Sequence, residues 1–259
     1  MTFETILVER EEPIAVITLN RPPANAITGR MLSDLGAAVD SLAPDRSIRA
    51  IVLTGAGDRI FCGGADLGDL FAGEGEDLRG YLQRGHTLLR RIETLGTPVI
   101  AALQGHATGG GCEIAMACHL RVMKETARIG QTESNLGILP GFGGTLRLPR
   151  LVGRTKAVEM LLLGTQVSAG EALALGLVNR LARDGETVTD AKALARTVAG
   201  RAPVASRLIL ACVDRGLEGR IDEASQGEIE AFLETLRTED AAEGLRAFWA
   251  KRAPEFRGI

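Results

Sequence analysis

The feature that most constrains this chain is a repeated unit, a short β-branched run stopped by glycine and followed by a longer segment with helical spacing. Residues 49–54 read RAIVLT and end at Gly55, and residues 99–103 read VIAAL and are broken by Gln104-Gly105. Runs of that length, with such a stop, suit buried strands. Ahead of them, residues 6–8 and 14–19 are β-rich around a Glu11-Glu12-Pro13 turn. Asn20-Arg21-Pro22-Pro23 ends the second run, because proline cannot continue a ladder. Met31, Leu35 and Val39 recur at helical spacing within 27–42. So do Leu78, Tyr81, Leu82, Leu88, Leu89 and Ile92, ahead of Gly96-Thr97-Pro98. Residues 120–124 read as a further strand, and 112–117, 155–163 and 169–174 as helices. From about residue 190 the pattern is helical, with stripes at Ile229, Phe232, Leu233 and Leu236 and at Leu245, Phe248 and Trp249. The expected class is α/β: a core over 1–195 and a helical region over 196–259. Gly73 to Asp77 reads as the most mobile internal segment, being small, charged and polar.

Composition removes whole classes. A chain of 259 residues, 45% hydrophobic and 24% charged, can bury a sizeable core. It is no disulfide mini-protein, collagen-like repeat or disordered chain. Thirty Lys and Arg against 33 Asp and Glu leave no nucleic-acid footprint. Cys62, Cys112, Cys118 and Cys212 form no CxxC pair, which fits a reducing compartment. The opening MTFETILVEREEP is acidic where a signal peptide needs a basic start. No run approaches the roughly 18 apolar residues of a membrane span. The expectation is a cytoplasmic protein without membrane or nucleic-acid partners.

Two glycine-rich segments carry the candidate chemistry, Phe61-Cys62-Gly63-Gly64-Ala65-Asp66-Leu67 and Gly109-Gly110-Gly111-Cys112-Glu113. Neither is a Walker loop or a dinucleotide fingerprint. Taken singly, each is equally well read as a tight turn with close helix packing. The alternative is more specific. Gly110 opens an expected helix, whose first N–H groups lack internal acceptors. Ala65 follows two glycines in a comparable setting. Two such N–H groups converging from separate loops would make an oxyanion hole. Glu113 lies in the first turn of the same helix, and Glu133 precedes Leu136-Gly137-Ile138-Leu139-Pro140-Gly141. A lone glutamate in either place could be a cap or a surface residue. As a pair they could hold a water and divide acid and base duties. His106 suits a structural hydrogen bond. Cys112, Cys118 and His119 lack zinc-ligand spacing, so no metal is expected.

At these residues the sequence resembles the enoyl-CoA hydratase/isomerase family, the crotonases. The resemblance is carried by Asn20-Arg21-Pro22 with Asn25-Ala26, by Cys62-Gly63-Gly64-Ala65-Asp66 and by Gly109-Gly110-Gly111-Cys112-Glu113. It continues through Gly130-Gln131-Thr132-Glu133, Leu139-Pro140-Gly141, Gly143-Gly144-Thr145, Leu148-Pro149-Arg150 and Gly176-Leu177-Val178. It implies a crotonase-like spiral of repeated ββα units with a helical C-terminal trimerisation region. It also implies an acyl-CoA thioester substrate, so that coenzyme A arrives with the substrate and no cofactor is needed. The oxyanion donors it implies are the N–H groups of Ala65 and Gly110, and the catalytic pair is Glu113 and Glu133. Ala24, Cys62, Gly64, Asp66, Leu67, Leu70, Leu136 and Phe142 complete the expected substrate-binding set, with Phe71, Leu78 and Ile138 as further pocket candidates. Lys251 and Arg252 are candidate phosphate contacts. The assembly implied is a homotrimer or a dimer of trimers; Phe248 and Trp249, as aromatics of a helical stripe, read equally as subunit-contact residues or as packing within the subunit.

Retention of both glutamates points within the family to reversible hydration of trans-2-enoyl-CoA to 3-hydroxyacyl-CoA. The short Pro22-Pro23-Ala24-Asn25 stretch keeps isomerisation, or dehydration of a specialised acyl-CoA such as carnitinyl-CoA, as the alternative. A non-catalytic acyl-CoA-binding protein would need neither glutamate.

Overall fold

The structure is a computed structural model that describes residues 2–68 and 78–259. Strands β1 (Ile6–Glu11) and β2 (Ile14–Leu19) form an antiparallel hairpin with Ile6 opposite Leu19. The chain then winds through turns of one plan. A strand enters a large sheet, a three-residue strand follows in a small sheet, and a helix returns. The large-sheet strands are β3 (Ala50–Gly55), β5 (Val99–Leu103) and β7 (Leu120–Lys124). Their small-sheet successors are β4 (Ile60–Cys62), β6 (His106–Thr108) and β8 (Arg128–Gly130). With β9 (Gln166–Ser168) and β10 (Arg180–Ala182), the large sheet runs β1-β2-β3-β5-β7-β10 and the small one β4-β6-β8-β9. Strands β2, β3, β5, β7 and β10 are parallel, as are β4, β6 and β8. This is the expected α/β spiral of ββα units. The chain crosses between sheets so tightly at Gly105 that a Cβ there would stand 2.2 Å from the Arg59 carbonyl carbon.

Every residue of β3 and β5 is buried, because both faces of the large sheet are covered. Ala15, Ile17, Leu19, Ile51, Leu53, Ala101 and Leu103 point into the main core. There they meet α1 (Gly29–Leu42) and α2 (Leu78–Glu93), which contribute Leu35, Val39, Leu88 and Leu89. Thr28 starts α1 by accepting the Met31 N–H on its hydroxyl. On the other face, Ile14, Val16, Ala50, Val52, Ile100 and Val122 pack under a later helix. The alternation along each strand is the period-2 register of a sheet.

Helix α3 (Gly110–Ala117) is wholly buried. A 3-10 turn (Glu133–Leu136) follows β8, then α4 (Gly144–Val152), α5 (Arg154–Leu163) and α6 (Ala169–Ala174). Helix α7 (Thr187–Ala199) is the one that covers the second sheet face, through Ala191, Leu194, Ala195 and Ala199. The boundary expected near 195 therefore falls inside a helix that packs on the sheet. We propose that the C-terminal region starts after α7, with α8 (Pro203–Glu218), α9 (Ile221–Leu236) and α10 (Glu239–Ala250). No helix among the described residues is long and apolar enough to cross a membrane.

Candidate active site

The site lies where successive turns of the spiral bring three loops together. Asn25, fully buried at φ +49, binds the first loop to the β3–β4 corner. Its Nδ2 donates to the carbonyls of Ala56, Ile60 and Phe61, and its Oδ1 accepts the Arg21 N–H. The Gly63 N–H donates to the Ala24 carbonyl at 2.8 Å. Next, Ile27 and Ala65 form an isolated parallel bridge. The bridge uses the Gly64 carbonyl, which accepts the Ile27 N–H, and the Asp66 N–H, which donates to the Ile27 carbonyl. In such a bridge the intervening residue faces away, so the Ala65 N–H points off the Ile27 side. Gly64, at φ +98, sets that turn. A Cβ on it would stand 3.1 Å from the Thr108 carbonyl oxygen and 3.3 Å from the Gly110 nitrogen. The Ala65 loop and the start of α3 are therefore in contact. Gly110 is the first residue of α3, so its N–H has no acceptor within the helix.

Both glutamates face the same cavity, of about 890 Å³. Glu113 sits in the first turn of α3 and is 1% exposed. Its Oε1 accepts the Phe142 N–H at 2.8 Å and the Gly144 N–H at 2.6 Å. Burial pushes this carboxyl up to about 7, with Glu133 adding to the rise against the pull of the two N–H groups. Glu133 opens the 3-10 turn and is half-buried. Its carboxyl is also raised by burial, while its own N–H and that of Thr132 pull it down. A Cβ on Gly109 would lie 2.9 Å from Glu133 Oε1, which places the second carboxylate against the residue before Gly110. Gln131, 1% exposed and with its amide nitrogen turned toward Glu133, donates to both carboxylate oxygens at 3.0 Å.

Of the residues expected from the sequence, the structure gathers Ala24, Gly64, Ala65, Asp66, Leu67, Gly110, Glu113, Glu133, Leu136 and Phe142 around this cavity. Leu78 and Ile138 join them. Cys62 is a correction. It is completely buried in β4, beneath α3, and does not line the cavity. The Gly111 Cα lies so close above it that a Cβ would stand 2.1 Å from the Cys62 carbonyl oxygen. Burial pushes its thiol up to about 12, leaving it a small apolar side chain. Leu70, Phe71 and the 73–77 segment lie outside the described residues. Lys251 and Arg252 are not among the cavity residues, and Arg252 pairs with Glu243 at 2.6 Å. His106 holds the Arg128 N–H on its Nδ1, a structural bond. Among the described residues no group of three or more His, Cys, Asp or Glu could hold a metal ion.

Sequence reasoning missed Tyr81 and His86 as cavity residues. The Tyr81 hydroxyl donates to the Ile27 carbonyl at 2.9 Å, and its ring meets Phe142 at a centroid distance of 5.3 Å. A glycine one turn on was the available signal. Gly85 leaves room for the Phe142 ring, whose Cδ1 would be 2.1 Å from a Cβ there.

The comparisons with known proteins agree with this arrangement. The family model for enoyl-CoA hydratase/isomerase matches residues 9–258. The chain is 40% identical to a short-chain-enoyl-CoA hydratase of Clostridium acetobutylicum, over 98% of each chain. It is 38% identical to a crotonyl-CoA hydratase of Syntrophomonas wolfei, over 99% of each. The crystal structure of an enoyl-CoA hydratase from Bacillus anthracis superposes with a TM-score of 0.94 at 36% identity, covering 99% of this chain and 100% of that one. The chain belongs to the enoyl-CoA hydratase/isomerase family and carries its general chemistry on acyl-CoA thioesters.

Proposed function

We propose that this protein adds water reversibly across the double bond of trans-2-enoyl-CoA thioesters to give 3-hydroxyacyl-CoA. The observation that carries the reading is the convergence of two buried or half-buried carboxylates, Glu113 and Glu133, on one cavity beside the Ala65 and Gly110 N–H groups. Isomerisation needs one carboxylate to move a proton. Hydration uses two, since a water must lose a proton while C2 gains one. The hydratases of Clostridium acetobutylicum and Syntrophomonas wolfei support the same choice by similarity.

The thioester oxygen sits on the Ala65 and Gly110 N–H groups, where the α3 N-terminus favours the negative charge that grows there. The pair of glutamates enters the cycle with one proton. Burial raises both carboxyls, and the Glu133 charge further disfavours ionisation of Glu113. Glu113, ionised, takes a proton from the water as its oxygen bonds to C3. The electron pair of the double bond moves toward the thioester, and Glu133 delivers its proton to C2. The proton gained by Glu113 then restores the pair through exchange with solvent. Tyr81, Leu82, Leu136 and Phe142 provide an apolar wall for the acyl chain.

We also propose a cytoplasmic homotrimer or dimer of trimers. Phe232, Phe248 and Trp249 are 63%, 77% and 73% exposed in the single chain, which supports burial of these helices between subunits. Light scattering on the purified protein tests this. The function is tested by the loss of enoyl-thioester absorbance with crotonyl-CoA and longer trans-2-enoyl-CoAs. Wild type is run beside Glu113→Gln and Glu133→Gln. Double-bond migration without hydration would replace the hydratase reading by the isomerase one.

A further inference from the structure

We infer that Arg147 and Glu93 are positioning residues for Glu113, acting through the 142–144 turn whose two N–H groups fix one of its carboxylate oxygens. The inference rests on the role proposed for Glu113 above. Arg147 lies on α4 and is 7% exposed. Its Nε and Nη2 grip the two oxygens of Glu93 at 2.9 and 3.0 Å, and its Nη1 donates to the Phe142 carbonyl at 2.6 Å. One planar fork thus joins the end of α2 to the turn, a geometry an ammonium group cannot copy.

Each end of this connection is fixed. Glu93 is the last residue of α2, and its carbonyl faces His119 Nε2 at 3.0 Å. His119 Nδ1 already accepts the Val99 N–H, so Nε2 is the donor. At the other end the Phe142 and Gly144 N–H groups converge on Glu113 Oε1. Between them, Gly143 passes so close that a Cβ would lie 2.5 Å from Arg147 Nη1. Removing the fork leaves the Phe142 carbonyl without this donor and frees the turn to rotate its N–H groups away from Glu113. The charged form of Glu113 then loses two hydrogen bonds and a nearby cation. The other titratable groups that line the same cavity as Glu113 are Glu133 from the 3-10 turn, His86 from α2 and Asp66 from the loop after β4. Arg121 binds the Ala115 and Cys118 carbonyls at the far end of α3. Around Glu93 they are Arg90 on α2 and Asp214 on α8.

The test compares wild type, Arg147→Met, Arg147→Lys and the double variant Glu93→Gln/Arg147→Met. The first readout needs no substrate. The Glu113 carboxyl is titrated by carbon-13 NMR, its signal assigned by its loss in Glu113→Gln. The expected result is a rise of about one pH unit in Arg147→Met, as two bonds to the anion are lost. Arg147→Lys, which keeps the charge without the fork, should fall between. The second readout is enoyl-CoA hydration, expected to drop about 100-fold in kcat with a much smaller change in KM, as for a misplaced reacting group. The double variant also removes the Glu93 charge that Arg147 no longer pairs, and decides the matter if Arg147→Met does not fold. A folded variant with wild-type Glu113 titration and wild-type kcat overturns the inference. If wild type hydrates no enoyl-CoA while the titration still moves, the positioning stands and the hydratase reading falls.

Discussion

Glu113 and Glu133 face one cavity from unlike surroundings, and the difference assigns them different work. Glu113 is built into the first turn of a wholly buried helix and has one oxygen pinned by two backbone donors from a distant turn. Glu133 begins a short 3-10 turn with no fully buried residue and leans on its neighbour Gln131. A carboxylate with one oxygen committed to fixed donors has the other free and well aimed. That suits a group that must hold a water in one orientation. A half-buried carboxylate on a shorter element can exchange its proton with solvent more readily, which suits the donor to C2.

The largest test of this division is loss of either carboxyl. Glu113→Gln and Glu133→Gln should each lower kcat by about 10²–10⁴-fold, the usual worth of a positioned acid or base. Stopped-flow absorbance with crotonyl-CoA measures both. The comparison breaks if one variant keeps wild-type turnover, since the pair would then reduce to a single working group.

Next in size is an effect on stability that only Glu113 should show strongly. Its folded carboxyl is raised from 4.5 to about 7. Its contribution to stability is complete below 4.5 and is lost as pH climbs through about 7, because the folded state then holds an ionised carboxylate in a dry site. That displacement corresponds to on the order of 3 kcal/mol. Glu113→Gln keeps the acceptor for the Phe142 and Gly144 N–H groups without the charge. Its Tm should therefore gain on wild type by about 5 °C or more between pH 5 and pH 9. A constant gap across that range would mean that Glu113 is better solvated than its surroundings indicate.

A smaller effect isolates Glu133. Gln131→Met preserves side-chain volume and removes both bonds to the Glu133 carboxylate. Turnover should fall about tenfold, in line with the loss of hydrogen bonds to a charged group. The pH dependence of Tm assigned to Glu113 should persist. If that dependence also vanishes, the two surroundings are coupled and cannot be treated as separate.

This contrast was only half legible in the sequence. Strands β2, β5 and β7 could be read to the residue because five- and six-residue β-branched runs carry period and a clear stop. Strands β4, β6, β8 and β9 have three residues each, too few for any period to register. Helix α4 was missed because Pro149 and the preceding glycines mask a helical pattern. The Gly109 to Glu113 run announced a helix start with a first-turn carboxylate. Its partners, the Phe142 and Gly144 N–H groups, lie 29 and 31 residues further on, and only the winding of the spiral brings them back. Cys62 failed for a related reason. Its place in the Cys62-Gly63-Gly64-Ala65-Asp66 motif put it in the expected substrate-binding set, but β4 turns its side chain under α3, where tertiary packing decides its surroundings.

His119 gives the finest test, since it supports the Glu113 side alone, through the Glu93 carbonyl. Burial lowers its ring to about 4, with Arg121 pressing the same way and Glu93 opposing. A base lowered by folding stabilises the protein fully above its unfolded value near 6.5 and loses that contribution as pH falls toward 4. Between pH 6.5 and 5.5 the loss should be about 1 kcal/mol in wild type. In His119→Gln, where an amide oxygen replaces the acceptor for the Val99 N–H, it should be absent. Urea unfolding at the two pH values measures the difference. An equal loss in the variant would place the acid sensitivity elsewhere. A loss confined to wild type would place this acid sensitivity on the ring that holds the Glu93 carbonyl, at the α2 end of the connection to Arg147.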